Sequence, residues 1–137
     1  MKKGKVLAID VGKRRIGLAI SDEGRRLAFP LGFLEVEGEE MAVEKIGEVA
    51  EREGVKEIVV GMPYSLKGTI TPSTELAMRI AQRLRERGFL VKEVDERLTT
   101  KEAEKILGVG KGKRRKGEAD KIAAVFLLQV YLERERL

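Results

Sequence analysis

The chain has 137 residues, 28 of them Lys or Arg against 23 Asp or Glu, for a formal net charge of +5. It contains neither Cys nor His, which excludes a disulfide framework, a thiolate or imidazole zinc site, a Ser-His-Asp triad and a Cys-His pair. Hydrolytic chemistry must then rest on carboxylates, Lys, Tyr, Ser/Thr or a metal held by oxygen ligands. The length fits one domain, residues 1–137, which should bury roughly 70% of the surface it exposes when unfolded. No apolar stretch approaches the roughly 20 residues that span a bilayer. The basic opening Met1-Lys2-Lys3-Gly4-Lys5 leads into an apolar run broken at Asp10 and Gly12, too short for the core of a signal peptide. The expectation is a cytoplasmic protein with no membrane partner.

In chain order, Lys5-Val6-Leu7-Ala8-Ile9 reads as a strand ending at Asp10-Val11-Gly12. Ile16-Gly17-Leu18-Ala19-Ile20 reads as a second, stopped by Ser21-Asp22, and the basic turn between them makes a hairpin. Leu27 to Val36 predicts a third strand, irregular or at an edge because of Pro30 and Gly32. The period then changes. Ala42, Val43, Ile46, Val49 and Ala50 recur at helical spacing within Glu39 to Glu53, and Gly54 can end that helix. Glu57 to Gly61, with Ile58-Val59-Val60, reads as a buried strand, followed by a loop through Met62-Pro63-Tyr64-Ser65-Leu66-Lys67-Gly68. Ser73 or Thr74 can cap a helix carrying Leu76, Ala77, Ile80, Ala81 and Leu84, closed by Gly88. Phe89 to Val94 predicts a strand, Thr99 or Thr100 a cap for a short helix to Leu107, and about Glu118 to Glu133 a final helix. The order β-β-β-α-β-α-β-α-α implies an α/β protein: three antiparallel strands opening a mixed sheet, with helices packed on its faces.

In such sheets, sites form beyond the carboxyl ends of the parallel strands, and Asp10, Gly61 and Asp95-Glu96 all fall at predicted strand ends. Asp10 can project a carboxylate into a cleft, with Gly12 leaving room for a phosphate; equally, Asp10 can be a turn residue with Gly12 supplying a positive φ. Lys13, Arg14 and Arg15 can bind phosphate or form a solvated hairpin tip. Asp95 and Glu96 need not share a site, because successive strand residues face opposite ways, and either can pair with Arg97. Asp120, two residues after Glu118, is a metal ligand or an ordinary acid near a helix N-terminus, and Ala123-Ala124 allow that helix to pack closely on the sheet. Lys111, Lys113, Arg114, Arg115 and Lys116 place five cations in six positions among glycines, a pattern suited to phosphate neutralisation, or else a solvated charge run. Two Tyr, four Phe and no Trp leave little for an aromatic stacking platform. Three separated acids with a basic loop fit a phosphodiester-cleaving centre, in which two cations about 4 Å apart activate water and stabilise the leaving oxygen.

Asp10 to Asp22 (DVGKRRIGLAISD), Val60 to Pro63 with Gly68, Asp95 to Thr100 (DERLTT), Lys113 to Lys116, and Asp120 to Ala124 with Tyr131-Leu132 run in order through nearly the whole chain. In these motifs the chain resembles the YqgF/RuvX family of RNase H-like nucleases, described both as Holliday junction resolvases and as pre-16S rRNA nucleases. The resemblance implies an RNase H-like fold, Mg²⁺ or Mn²⁺ dependence and cytoplasmic action on structured nucleic acid, with pre-rRNA, ribosomal precursor particles or branched DNA as partners. It makes Asp10 the central metal ligand, an acid of Asp95-Glu96 the second, with Glu96 favoured, and Asp120 the third. The cations named above, together with Arg97, become the nucleic-acid contacts. Relatives often continue the Gly61-Met62-Pro63 loop with an Asn-containing stretch, where this chain has Tyr64-Ser65. Two other classes fit parts of the pattern. An actin-like or hexokinase-like phosphotransferase shares the opening Asp-x-Gly hairpin but closes a nucleotide between two domains. A catalytically silent nucleic-acid-binding module would not need the acid set.

Overall fold

The computed structural model describes residues 3–97 and 116–136, with only the backbone for 116–121. The expected short helix from Thr99 or Thr100 to Leu107 and most of the basic loop, residues 111–115, lie outside these residues. Among the described residues the elements are β1 (Val6–Val11), β2 (Arg15–Ser21), β3 (Ala28–Glu35), α1 (Glu39–Arg52), β4 (Glu57–Met62), α2 (Pro72–Glu86), β5 (Leu90–Asp95) and α3 (Lys116–Glu135). The five strands form one mixed sheet in the order β3-β2-β1-β4-β5. β1, β2 and β3 pair antiparallel, whereas β1–β4 and β4–β5 are parallel.

Strand alternation sorts the apolar residues onto two faces. Leu7, Ile9 and Val11 of β1, with Ile58, Val60 and Met62 of β4, pack against Val43, Ile46 and Ala50 of α1 and Ala77, Ile80 and Leu84 of α2. Val6 and Ala8 of β1, with Val59 and Val94, pack against Ala124, Leu127, Leu128 and Leu132 of α3. Each large aliphatic side chain so buried contributes about 1.5–3 kcal/mol before conformational entropy opposes it. β1 and β4 are apolar on both faces because helices cover both, which is why they read as unbroken hydrophobic runs. β3 lies at an edge, as Pro30 and Gly32 require, and its pairing shifts register at Leu18/Ala19.

Two helix starts differ from the sequence reading. α2 begins earlier than Ser73 or Thr74: Thr71 is its N-cap, accepting from the Thr74 amide, while the Thr74 side chain accepts from the Thr71 amide. Pro72 at the first helical position, with φ preset, favours this frame over the later one. Within the described residues α3 is already helical at Lys116, before the expected Glu118.

The direction of α3 is fixed at its far end. Glu57, the first residue of β4 and buried, accepts from the Tyr131 hydroxyl and, at 3.1 Å, from Arg25 Nη1. Arg25 Nε also donates to the Gly4 carbonyl at 2.8 Å, and the Tyr131 hydroxyl reaches Glu135 Oε1 at 3.2 Å. Burial pushes the Tyr131 phenol well above its usual value, with the Glu57 hydrogen bond adding to the effect, so it stays a donor. This clamp pins the C-terminal half of α3 to the amino end of β4.

Candidate acid site at the strand ends

Asp10 is the penultimate residue of β1, within the strand and not in a turn. It shares its face with Val6 and Ala8, the face covered by α3. Gly12 has no positive φ; its role is close approach, since a Cβ there would lie 2.6 Å from the Arg15 carbonyl oxygen that accepts from the Gly12 amide at 2.8 Å. The tight turn that follows exposes Lys13 and Arg14 and leaves Arg15 partly covered. Lys13 and Arg14 line a hollow of about 880 Å³ with Gly38 and Lys45, on the α1 side of the sheet.

Asp95 and Glu96 go to opposite faces, as strand alternation demands. Asp95, opposite Met62 in the β4–β5 register, turns to the α2 side and binds Arg97 at both oxygens. Arg97 Nη2 donates to Oδ2 at 2.6 Å, Nε to both oxygens at 3.0 Å, and the Arg97 amide to Oδ1 at 2.9 Å. This bidentate pair holds the Asp95 carboxyl below the usual carboxylate range. Arg97 also donates to the Leu66 carbonyl at 3.4 Å and lies over the Tyr64 ring at 5.8 Å. The pair thereby ties the loop after β4 to the end of β5.

Glu96 faces the α3 side, lies against the Gly61 backbone and shares a hydrogen bond with Asp10. Burial, then the Asp10 hydrogen bond and charge, push its carboxyl up to about 10. Two carboxyl groups in contact tolerate each other only with a proton between them or a cation beside them. Both groups are hard oxygen donors, and the chain supplies no imidazole or thiolate alternative, so the pair suits Mg²⁺ or Mn²⁺. Among the described residues there is no cluster of three or more His, Cys, Asp or Glu placed to hold a metal. The Asp120 side chain, like Lys111, Lys113, Arg114, Arg115 and the side chain of Lys116, lies outside the described residues.

The structure thus brings Asp10 and Glu96 together and sends Asp95 and Arg97 to the other face. Sequence reading placed Gly61 at a strand end with the acids but gave it no role in the site. The available signal was a glycine one residue before the end of an otherwise aliphatic strand.

Comparisons with known proteins identify the family and the fold. The RuvX family model, described as "Holliday junction resolvase", matches residues 4–134. The chain belongs to the RuvX family. A relative of this RuvX chain from Dictyoglomus thermophilum, named "Putative pre-16S rRNA nuclease", is 46% identical over 136 residues, covering 97% of this chain and 98% of the relative. A protein of the same name from Desulforudis audaxviator is 39% identical over 132 residues, covering 93% of each. In fold, the RuvX chain is similar to Thermus thermophilus RuvC in complex with Holliday junction substrate, with a TM-score of 0.57 and 20% identity over 96% of this chain and 95% of that one. It is similar also to fowlpox virus resolvase in complex with Holliday junction DNA, with a TM-score of 0.55 and 13% identity over 96% and 99% of the two chains. The fold is the RNase H-like one of these resolvases. Among the described residues no helix is long and apolar enough to cross a membrane.

Proposed function

We propose that this RuvX protein is a metal-dependent endonuclease that hydrolyses phosphodiester bonds of structured nucleic acid in the cytoplasm. The substrate we favour is the 5′ end of pre-16S rRNA, because relatives similar over nearly their full length carry that name. The observation that carries the catalytic part is the contact between the Asp10 and Glu96 carboxyls beyond the carboxyl end of β1.

Asp10 and Glu96, with Asp120 as third ligand, would hold Mg²⁺ or Mn²⁺. The helical stripe supports Asp120. Position 120 precedes the buried Ala124 by four residues, and Leu127, Leu128 and Tyr131 continue the same line. Eleven residues of helix, at 1.5 Å each, carry position 120 roughly 16 Å from the Tyr131 clamp. Four residues of strand separate Glu57 from Gly61, roughly 13 Å, so a helix running along β4 from the clamp is long enough to bring position 120 to the acid pair.

Bound divalent cations supply the charge that activates a water and steadies the leaving oxygen. The protein's own groups do the rest. Asp10 is fixed from the sheet, and Glu96 would have to release its proton to serve as a ligand. Lys13, Arg14 and Arg15, shortly after Asp10 in the chain, with Lys111, Lys113, Arg114 and Arg115, which precede α3, and Lys116 within it, draw the phosphate backbone to the acid end. Asp95 acts through Arg97 and orders the loop beside the site. Water adds to phosphorus, the bond to the leaving oxygen breaks, and that oxygen takes up a proton.

A cleavage assay with Mg²⁺ or Mn²⁺, comparing precursor rRNA, four-way DNA junctions and single strands, tests this reading. We expect cleavage of the precursor rRNA that is lost in Asp10→Asn. Preferential cutting of the junction would move the substrate to branched DNA, and binding without cleavage of any substrate would leave a silent nucleic-acid-binding module.

A further inference from the structure

The two acids that meet do not come from neighbouring strands. In the order β3-β2-β1-β4-β5, β4 lies between Asp10 on β1 and Glu96 just after β5. With strands about 4.8 Å apart, the two backbones stand roughly 10 Å from each other. A side chain from the β5 side must therefore cross the backbone of β4. On that face, β4 presents Glu57, Val59 and Gly61; Glu57 binds Tyr131 and Val59 packs in the α3-side core. Extending the β1–β4 register by one pair beyond Ile9↔Val60 sets Gly61 beside Asp10.

We propose that Gly61 is a positioning residue of the acid site, its missing side chain forming the passage through which Glu96 reaches Asp10. A Cβ on Gly61 would lie 2.6 Å from Glu96 Oε1, 2.8 Å from Cγ and 3.0 Å from Cδ. The obstruction runs along the side chain and includes Cγ, so rotating the carboxylate tip cannot relieve it. Conformation gives no other reason for glycine, since Gly61 is not among the glycines with positive φ. A glycine inside a strand weakens it, and here the space gained is what the second acid occupies. The inference rests on Asp10 and Glu96 acting as a metal pair, and its test separates the two.

The test compares wild type, Gly61→Ala, Glu96→Ala and the double variant, by Mn²⁺ titration followed by electron paramagnetic resonance and by thermal melting without metal. Gly61→Ala should stay folded and lose about tenfold or more in Mn²⁺ affinity, the scale on which groups supporting a metal's ligands act. In the Glu96→Ala background the same change should leave Mn²⁺ affinity unaltered and raise the melting temperature, because Ala at an ordinary φ restricts the unfolded chain. Wild-type affinity in Gly61→Ala, or an equal loss in both backgrounds, overturns the proposal. If Glu96→Ala binds Mn²⁺ as wild type does, the metal reading falls. The metal-free melts then decide Gly61: a stability cost that vanishes with Glu96 upholds the passage, and a cost independent of Glu96 overturns it.

Discussion

Asp95 and Glu96 are neighbours in the chain and face opposite sides of the sheet, Asp95 toward Arg97 and Glu96 toward Asp10. On the proposed reading, the same acidic dipeptide supplies one structural and one metal-binding carboxylate. Glu96→Gln should reduce cleavage by a factor of about a hundred or more, the order seen when one preorganised charged group is removed from a reacting centre. Asp95→Asn should keep Mn²⁺ affinity within a few-fold of wild type, while proteolysis of the Pro63–Thr71 loop quickens because Arg97 no longer holds it. Equal losses of Mn²⁺ affinity in both variants would contradict the division of roles.

Asp10→Asn should abolish cleavage and, without metal, leave the protein folded, because the amide oxygen can still accept from the Glu96 carboxyl. The stabilisation that Mn²⁺ gives the wild type, growing with the logarithm of its concentration above the dissociation constant, should vanish in this variant. Thermal melts with and without Mn²⁺ read both effects.

The pH dependence follows from the raised Glu96 carboxyl. Its ordinary value is 4.5 and the folded protein holds it at about 10. Between these values the folded state keeps a proton that the unfolded state has released, so metal-free stability should fall as pH rises through this window. Mn²⁺ must displace the same proton, so its affinity should rise over the same window. Asp95 has the opposite sign. Its carboxyl is lowered by Arg97, so its contribution is present above the ordinary carboxylate range and is lost as pH falls through its own folded value. Melting curves of Glu96→Gln across about pH 5 to 9 should lose the decline seen in wild type.

Tyr131→Phe removes the hydroxyl from a buried carboxylate, Glu57, that keeps Arg25 as its other partner. Leaving a buried acceptor short of a donor costs about 1–3 kcal/mol. Urea unfolding should show this loss. Mn²⁺ affinity at folded temperatures should change little, because the clamp sits at the opposite end of β4 from Gly61.

Replacing Lys113, Arg114 and Arg115 by Ala should weaken nucleic-acid binding on all sequences and flatten its salt dependence, by about one unit of slope for each phosphate no longer neutralised. Binding isotherms at several salt concentrations measure it. An unchanged slope would return the segment to a solvated charge run.

Much of the fold was legible in the sequence. The aliphatic runs of β1 and β4, the helical spacing of Ala42, Val43, Ile46, Val49 and Ala50, and the turn glycines place the elements of a mixed sheet, because burial on one or two faces writes its period into the chain. The acids at strand ends were legible for the same reason. What the sequence did not determine was which face each acid takes. One residue of register exchanges Asp95 and Glu96, and only the pairing of Met62 with Asp95 fixes it. Nor did it reveal the role of Gly61, because a missing side chain acts through the space it leaves and that space belongs to Glu96. The cap of α2 was read two to three residues late, since Ser73 and Thr74 are as good caps in isolation as Thr71. The Thr71–Thr74 reciprocal bonds and Pro72 decide between them.

The most direct measurement is anomalous diffraction from crystals soaked in Mn²⁺. Ions bonded at about 2.0–2.3 Å to carboxylate oxygens of Asp10, Glu96 and Asp120 are expected. Anomalous peaks confined to other surfaces, with the Asp10–Glu96 contact unchanged, would contradict the account.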